Sequence, residues 1–359
     1  MIRRALIAAL VVVWAGVPGA VRAQDDPFTV RNVEVDVTAE SAAAARERAI
    51  AEAQRQAFDR LIARLSTQGG QKTVPAPDSK ALDELVRDFE VDSEKISAVR
   101  YLATFTVRFK PAAIRALLRQ SNVTFAETPS KPLLVLPLYR AEGALILWDD
   151  PNPWREAWAK LGPSDGFVPL TIPNGDIADV QDIGADQALA RDPERYRAIA
   201  ARYRAAGVLL AFATLRMDVR SSKPVVDVTA TRVDPTLPEQ TLVFSFGDEA
   251  STEALLDKAV RAVRAGVEDG WKRDNVLRFD RPQSLTVTVP IASLADWVEV
   301  RKRLATVPAL GKTEIVSLSR SAVVLSLTFP GDEDQLAAAL VQRDLALAQD
   351  GGSWTLTRR

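Results

Sequence analysis

Chemically capable side chains crowd most closely in LILWDDPNPWREAW, which brings Trp148, Asp149, Asp150, Asn152, Trp154 and Trp158 into one short stretch. Indole faces beside two carboxylates and an amide are the components of a sugar or peptide site, flat apolar area with a few directional polar groups. A helix beginning near Pro153 would set Trp154 and Trp158 one turn apart on the same face. The same indoles also suit a structural lid that closes one edge of a sheet, and packing is the commoner fate of large aromatics. The lid is therefore the first reading of this loop and the binding set the second. Glycoside hydrolysis would need two carboxyls facing each other across about 5 to 9.5 Å. Asp149 and Asp150 are adjacent, and neighbours on an extended chain point apart.

Two other patterns invite chemistry. GPSDG, from Gly162 to Gly166, matches the G-x-S-x-G of a nucleophile elbow. That elbow requires a strand before it, a helix after it and a histidine elsewhere. Here a helix is expected before it and a strand after it, and the chain has no histidine, so Ser164 reads as part of a helix-to-strand turn. The acids Asp176, Asp179, Asp182 and Asp186 recur at helical spacing but lack the alternate oxygen ligands and central glycine of a calcium loop. They read as turn caps or a solvated face. Neither a G-x-x-x-x-G-K-[ST] loop nor a G-x-G-x-x-G turn occurs, so no nucleotide cradle and no cofactor is expected.

Composition narrows the chemistry further. The chain has no histidine and no cysteine. That removes the imidazole base, the Ser-His-Asp and Cys-His nucleophiles, thiolate chemistry and His- or Cys-ligated metal. No catalytic residue and no metal ligand is assigned, and the chain reads as non-enzymatic. Basic and acidic residues are interleaved, as in RERAIAEAQRQAFDRL, so no stripe could neutralise a phosphate backbone and nucleic acid is not an expected partner.

These groups need elements to hold them. Between Phe28 and about Glu127 the pattern is strand, long helix, shorter helix, strand, helix. Val33, Val35 and Val37 alternate with acids, and Ile50, Ala53, Ala57, Leu61 and Leu65 form one helical stripe of about seven turns. Tyr101, Ala103, Phe105, Val107 and Phe109 alternate in a further strand, and Pro111 opens a helix. AETPSKP marks a boundary. After it, continuous apolar strands in LLVLPLY and ALILW, a helix from Pro153, a strand in FVPLTI and a helix across DPERYRAIAARYRAAG precede three strands and a long helix to about Lys272. The unalternating early strands predict a parallel, doubly covered part, and the later ones an antiparallel meander. From Asn275 the order is strand, helix, strand, strand, helix, strand, with a final GSWTLTR. Capping boxes are expected at Ser293/Asp296 and Asp332/Gln335. The expected fold is thus α/β and α+β: an N-terminal α+β domain over 28–127, a mixed-sheet α/β domain over 131–273 and a ferredoxin-like βαββαβ domain over 275–359.

The start, MIRRALIAALVVVWAGVPGAVRAQDD, has two arginines, a short apolar run, helix breakers and small residues ahead of Gln24. It reads as a cleaved export signal over 1–23, too short for a membrane span of about 20 apolar residues. No cysteine follows it, so no lipid anchor is expected, and no later segment approaches spanning length. Cleavage would remove Arg3, Arg4 and Arg22, leaving 43 basic against 47 acidic residues, a mature chain of charge near −4. The expected location is the periplasm, without membrane insertion after cleavage.

Over its mature length the chain resembles a proteobacterial group of exported proteins known as domain-of-unknown-function family 2066. The resemblance lies in TVRNVEVDVTAESAAAARERAIAEAQRQAFDRL, in KPLLVLPLY followed by LWDDPNPWREAW, and in DWVEVRKRL with FPGDEDQLAAALVQRDLAL. The first domain also resembles the N-terminal domain of flagellar assembly proteins, and the middle one is similar to small α/β domains of envelope proteins that assemble on the outer membrane. The resemblance implies a scaffold or adaptor that binds an envelope protein or peptidoglycan, and it carries no active residues. The competing expectation is a carboxylate-based glycan-acting enzyme, or a glycan or peptide binder, at the Trp148–Trp158 loop.

Overall fold

The computed structural model describes residues 26–359 except 68, 163, 164, 236 and 277–281. The expected leader over 1–23 and Ser164 of the GPSDG turn lie outside the described residues. The chain forms a mixed α/β architecture of three sheet-and-helix modules in series.

The first module runs β1 (Thr29–Thr38), α1 (Ala42–Leu65), a 3₁₀ turn (Gly70–Thr73), α2 (Ser79–Leu85), β2 (Val86–Ile96), β3 (Arg100–Phe109) and α3 (Pro111–Gln120). Its antiparallel sheet has the order β1-β3-β2. Ser41 caps α1 by accepting from the Ala44 N–H, as small oxygen-bearing residues do at helix starts. Ala45, Ala49, Ala53 and Ala57 recur every fourth residue along the buried stripe, so the helix backbone can approach the sheet closely. The expectation omitted β2. Its register is broken between Val86 and Asp88 and again between Val91 and Ser93. These bulges interrupt the two-residue period by which a strand is recognised.

The second module runs β4 (Leu133–Ala141), β5 (Ala144–Ile146), α4 (Pro153–Lys160), β6 (Leu170–Thr171), α5 (Ile177–Asp182), α6 (Ala185–Ala190), α7 (Pro193–Arg202), β7 (Gly207–Met217), β8 (Pro224–Val233), β9 (Gln240–Phe246) and α8 (Thr252–Asp274). The sheet order is β5-β4-β7-β8-β9, with β6 beside β4. β4 pairs in parallel with β7 and β6, and β7-β8-β9 is an antiparallel meander, as the change of pattern along the sequence predicts, whereas β5, from ALILW, is no parallel strand but turns back antiparallel to β4. FVPLTI contributes only the two residues of β6 as strand. The N–H groups of Phe167 and Val168 go instead to the Glu268 carboxylate of α8 (2.9 and 2.8 Å).

The third module runs β10 (Pro282–Pro290), α9 (Leu294–Leu304), β11 (Lys312–Leu318), β12 (Ala322–Pro330), α10 (Glu333–Val341), β13 (Leu345–Asp350) and β14 (Ser353–Arg358), in sheet order β11-β12-β10-β14-β13. This order is compatible with a ferredoxin-like topology, with one change. The strand beside β10 is β14, parallel to it through Val287 and Trp354, and LALAQD is displaced to the edge as β13. Gly351 and Gly352 both take positive φ between Asp350 and Ser353, the two-residue turn that folds one strand tightly back on the next. Ser293 and Asp296 form the expected reciprocal capping box. Asp332 caps α10, but Gln335 donates to Val276 O rather than completing the box.

One continuous apolar core joins residues from all three modules, and a second, smaller one lies on the other face of the middle sheet. Alternate residues divide β4 between them, with Leu133 and Val135 in the first and Leu134, Leu136 and Leu138 in the second.

Candidate functional site

The loop from β5 to α4 is built outward from Asn152, which caps α4. Its Oδ1 accepts from the Arg155 N–H (3.0 Å), and its Nδ2 donates to Leu147 O (3.1 Å). Although its type made Asn152 a candidate polar group for a ligand, it is fully buried, because its amide satisfies backbone on both sides of the turn. Trp154 and Trp158 lie one turn apart as the spacing requires, edge to face with centroids 5.7 Å apart, and both are buried. Trp154 Nε1 donates to Ala211 O at 2.8 Å, whereas Trp158 Nε1 is buried with no hydrogen-bond partner among the described residues.

Trp148 does not join them. It belongs to the core on the opposite face of the sheet, and its Nε1 donates to Ile183 O at 2.7 Å. Asp149 and Asp150 are exposed. Arg155 ties the tip down, donating to Trp148 O (2.9 Å) and to Asp150 Oδ1 (2.6 Å).

The aspartate run packs against this loop, a proximity that neither stretch reveals alone. Gly175 takes φ 72°, and a Cβ there would fall 2.4 Å from Arg155 Nη1. Asp176 caps α5, Asp182 pairs with Arg202 at 2.7 Å, and Asp186 is exposed. Asp179 departs from the expectation of a solvated face. It is fully buried, and its Oδ2 accepts from the Gly175 N–H (2.8 Å) and the Tyr203 hydroxyl (2.7 Å). Burial, together with the hydrogen bond that the phenol donates to Asp179, pushes the Tyr203 hydroxyl up to about 12.

Sequence reasoning passed over the ionisable groups where modules meet. Lys272 of α8 donates to Ala63 O (2.8 Å) and Ser66 O (3.2 Å), capping the C-terminal end of α1 across the junction. Burial lowers its pKa against the pull of Glu268, one turn earlier. Burial likewise raises the Glu268 carboxyl, against the two N–H groups that it accepts. Glu127 is buried in a two-point pair with Arg115 (2.8 and 3.0 Å), and burial holds its carboxyl above the usual range. The helical spacing of Glu268 and Lys272 was visible in the sequence, but which neighbours would bury them was not. A cleft of about 340 Å³ opens between α3 and the third sheet, lined by Arg115, Arg119, Thr328 and Phe329. Another of about 480 Å³ is lined by Ser66, Lys72, Asp269 and Lys272. Among the described residues no group of three or more metal-ligating side chains could hold a metal ion.

Fold and geometry define a chain of three coupled α/β modules with buried ionic contacts at their junctions. Residues 28–127, the first module, match a family described as a domain of unknown function (DUF8605). No curated protein and no solved structure matches the chain.

Proposed function

We propose that the chain is an exported, non-enzymatic adaptor of the cell envelope, binding an envelope protein or peptidoglycan through its module surfaces. The observation that carries this reading is the coupling of the modules. Lys272 fastens the second to the first, and the linker between those two is held by Trp271 at Thr128 O (2.7 Å) and by Gln342 of the third at the Lys131 N–H (2.9 Å). Each bond satisfies backbone at a junction, so the three modules form one braced body that offers outward surfaces to a partner.

The leader pattern with Arg3 and Arg4 supports export to the periplasm, and among the described residues no helix is long and apolar enough to cross a membrane. On this reading the domains follow the boundaries at 28–127, 131–273 and 275–359, and the chain belongs with the exported family its extended patterns resemble. A glycan-acting or glycan-binding Trp148–Trp158 loop has less support, since its indoles are divided between two cores and Asp150 is committed to Arg155.

Crosslinking in cells followed by mass spectrometry tests the proposal. It should recover a mature form beginning near Gln24, joined to an envelope component through surface residues of the modules. A full-length cytoplasmic form, or glycan cleavage by the purified chain that is lost in Asp150→Asn, would sink it.

A further inference from the structure

Each of the three sheets ends in two edges, and an edge strand presents unpaired N–H and C=O groups that another chain can extend unless the sequence blocks it. Among the described residues, five of the six edges are blocked or short. β1 is bulged between Val30 and Val33 and carries Arg31, Glu34 and Asp36. β2 has two bulges and the acids Asp88, Glu90, Asp92 and Glu94. β11 is bulged between Ile315 and Ser317 and carries Lys312 and Glu314. β5 and β6, which share an edge, have three and two residues. β13 ends on Asp350 and exposes no large apolar side chain.

β9 has none of these protections. Its seven residues, QTLVFSF, contain no charge, proline or glycine, and it pairs with β8 without a register shift. Val243 is 75% exposed on the face away from α8. On the α8 face Leu242 and Phe244 stay half-buried although α8 presses on them at Gly266, where a Cβ would meet them at 2.9 and 3.0 Å. The helix thus holds the strand firmly and leaves its outer edge open.

We propose that β9 is the seat of a two-fold dimer, in which a second copy of this chain adds its own β9 antiparallel to form one sheet across both molecules. A two-fold axis must pass through a residue pair, since a shift by one residue would set opposed side chains on opposite faces. The axis at Val243 pairs all seven residues. Val243 meets its counterpart, Leu242 meets the second copy's Phe244 on the α8 face, and Thr241 meets the second copy's Ser245 on the other.

Charge favours a second copy as the occupant. Glu239, just before the strand, is paired with Arg191, and Asp248, just after it, with Lys223. Antiparallel pairing brings the Glu239 end of one copy to the Asp248 end of the other, so each end of the ribbon gathers two anions and two cations and is neutral.

The absence of cysteine makes the register directly testable in the full chain. Sedimentation should show a dimer fraction that rises with concentration. Val243→Lys, at an exposed position, should be monomeric at every concentration, and its melting temperature should equal that of the wild type measured at concentrations too low for the dimer to form. Val243→Cys should give a linked dimer with a short bis-maleimide. Thr241→Cys or Ser245→Cys alone should give at least about tenfold less, because like thiols would be about 14 Å apart along the ribbon, and mixing the two variants should restore linkage. A wild-type chain that stays monomeric, a dimer that survives Val243→Lys, or stronger linkage through Ile315→Cys on β11 would overturn the dimer. A monomer that instead binds a free peptide along β9 would replace it with heterologous strand addition.

Discussion

Two halves of one loop behave as different materials. Trp148, Asn152, Trp154 and Trp158 are buried and Asp149 and Asp150 exposed, although all six stand within a few residues of each other and looked alike as candidates. The difference teaches that residue type set the chemistry on offer, while position relative to the sheet decided which of it faces solvent. The edges repeat the lesson, since β9 and β11 are similar apolar strands and only β11 has a bulge and charges on it.

The widest separation is expected at the indoles. Trp154→Ala and Trp158→Ala should each cost about 3 to 5 kcal/mol, the range for large aromatics removed from cores, as read by denaturant unfolding. A loss below about 1 kcal/mol would mean that the indoles are not packed as described. Asn152→Ala removes the α4 cap and strands buried backbone groups, so about 1 to 3 kcal/mol is expected. A change as small as that of a surface substitution would return Asn152 to the exposed half.

Conservative changes sharpen the contrast between the two indoles. Trp154→Phe should destabilise by roughly 1 kcal/mol more than Trp158→Phe, because it breaks the bond to Ala211 O. Trp158→Phe removes a donor that has no partner. The reverse order would show that Trp158 Nε1 is bonded in solution.

Acidity extends the same comparison to charges. Burial raises the folded pKa of Glu268 above the ordinary 4.5, so its stabilising protonation is fully present below about 4.5 and lost as pH rises through the folded value. Half-buried Asp296, held low by the Ser293 hydroxyl, does the opposite and loses its contribution as pH falls through its depressed value. Relative to Glu268→Gln, the wild-type chain should therefore gain in melting temperature as pH falls from 7 toward 4.5, and a pH-independent difference would refute the burial argument. The smallest effect is expected at the tip, where Asp149→Asn should stay within about 0.5 kcal/mol. A larger loss would mean that the tip has a structural role its exposure does not show.

Much of the fold could be read from pattern because its cause is local. The α1 stripe, the alternation of β3, the unalternating β4 and the Ser293/Asp296 box each express a period or a cap within a single element. β2 was missed because bulges break its period. Most of FVPLTI was misread because Glu268, a hundred residues away, takes the N–H groups a strand would use.

By itself the sequence determined the chemistry this protein has to work with. It has no imidazole and no thiol, its charges are interleaved, and Trp154 and Trp158 share a helical face. Only the tertiary structure decided that Trp148 lies across the sheet from them, that Asp179 is buried while Asp186 is not, and that β9 ends its sheet unprotected. The reason is physical: periodicity and capping act between residues a few positions apart, whereas burial and edge status depend on which distant segment arrives to cover a face.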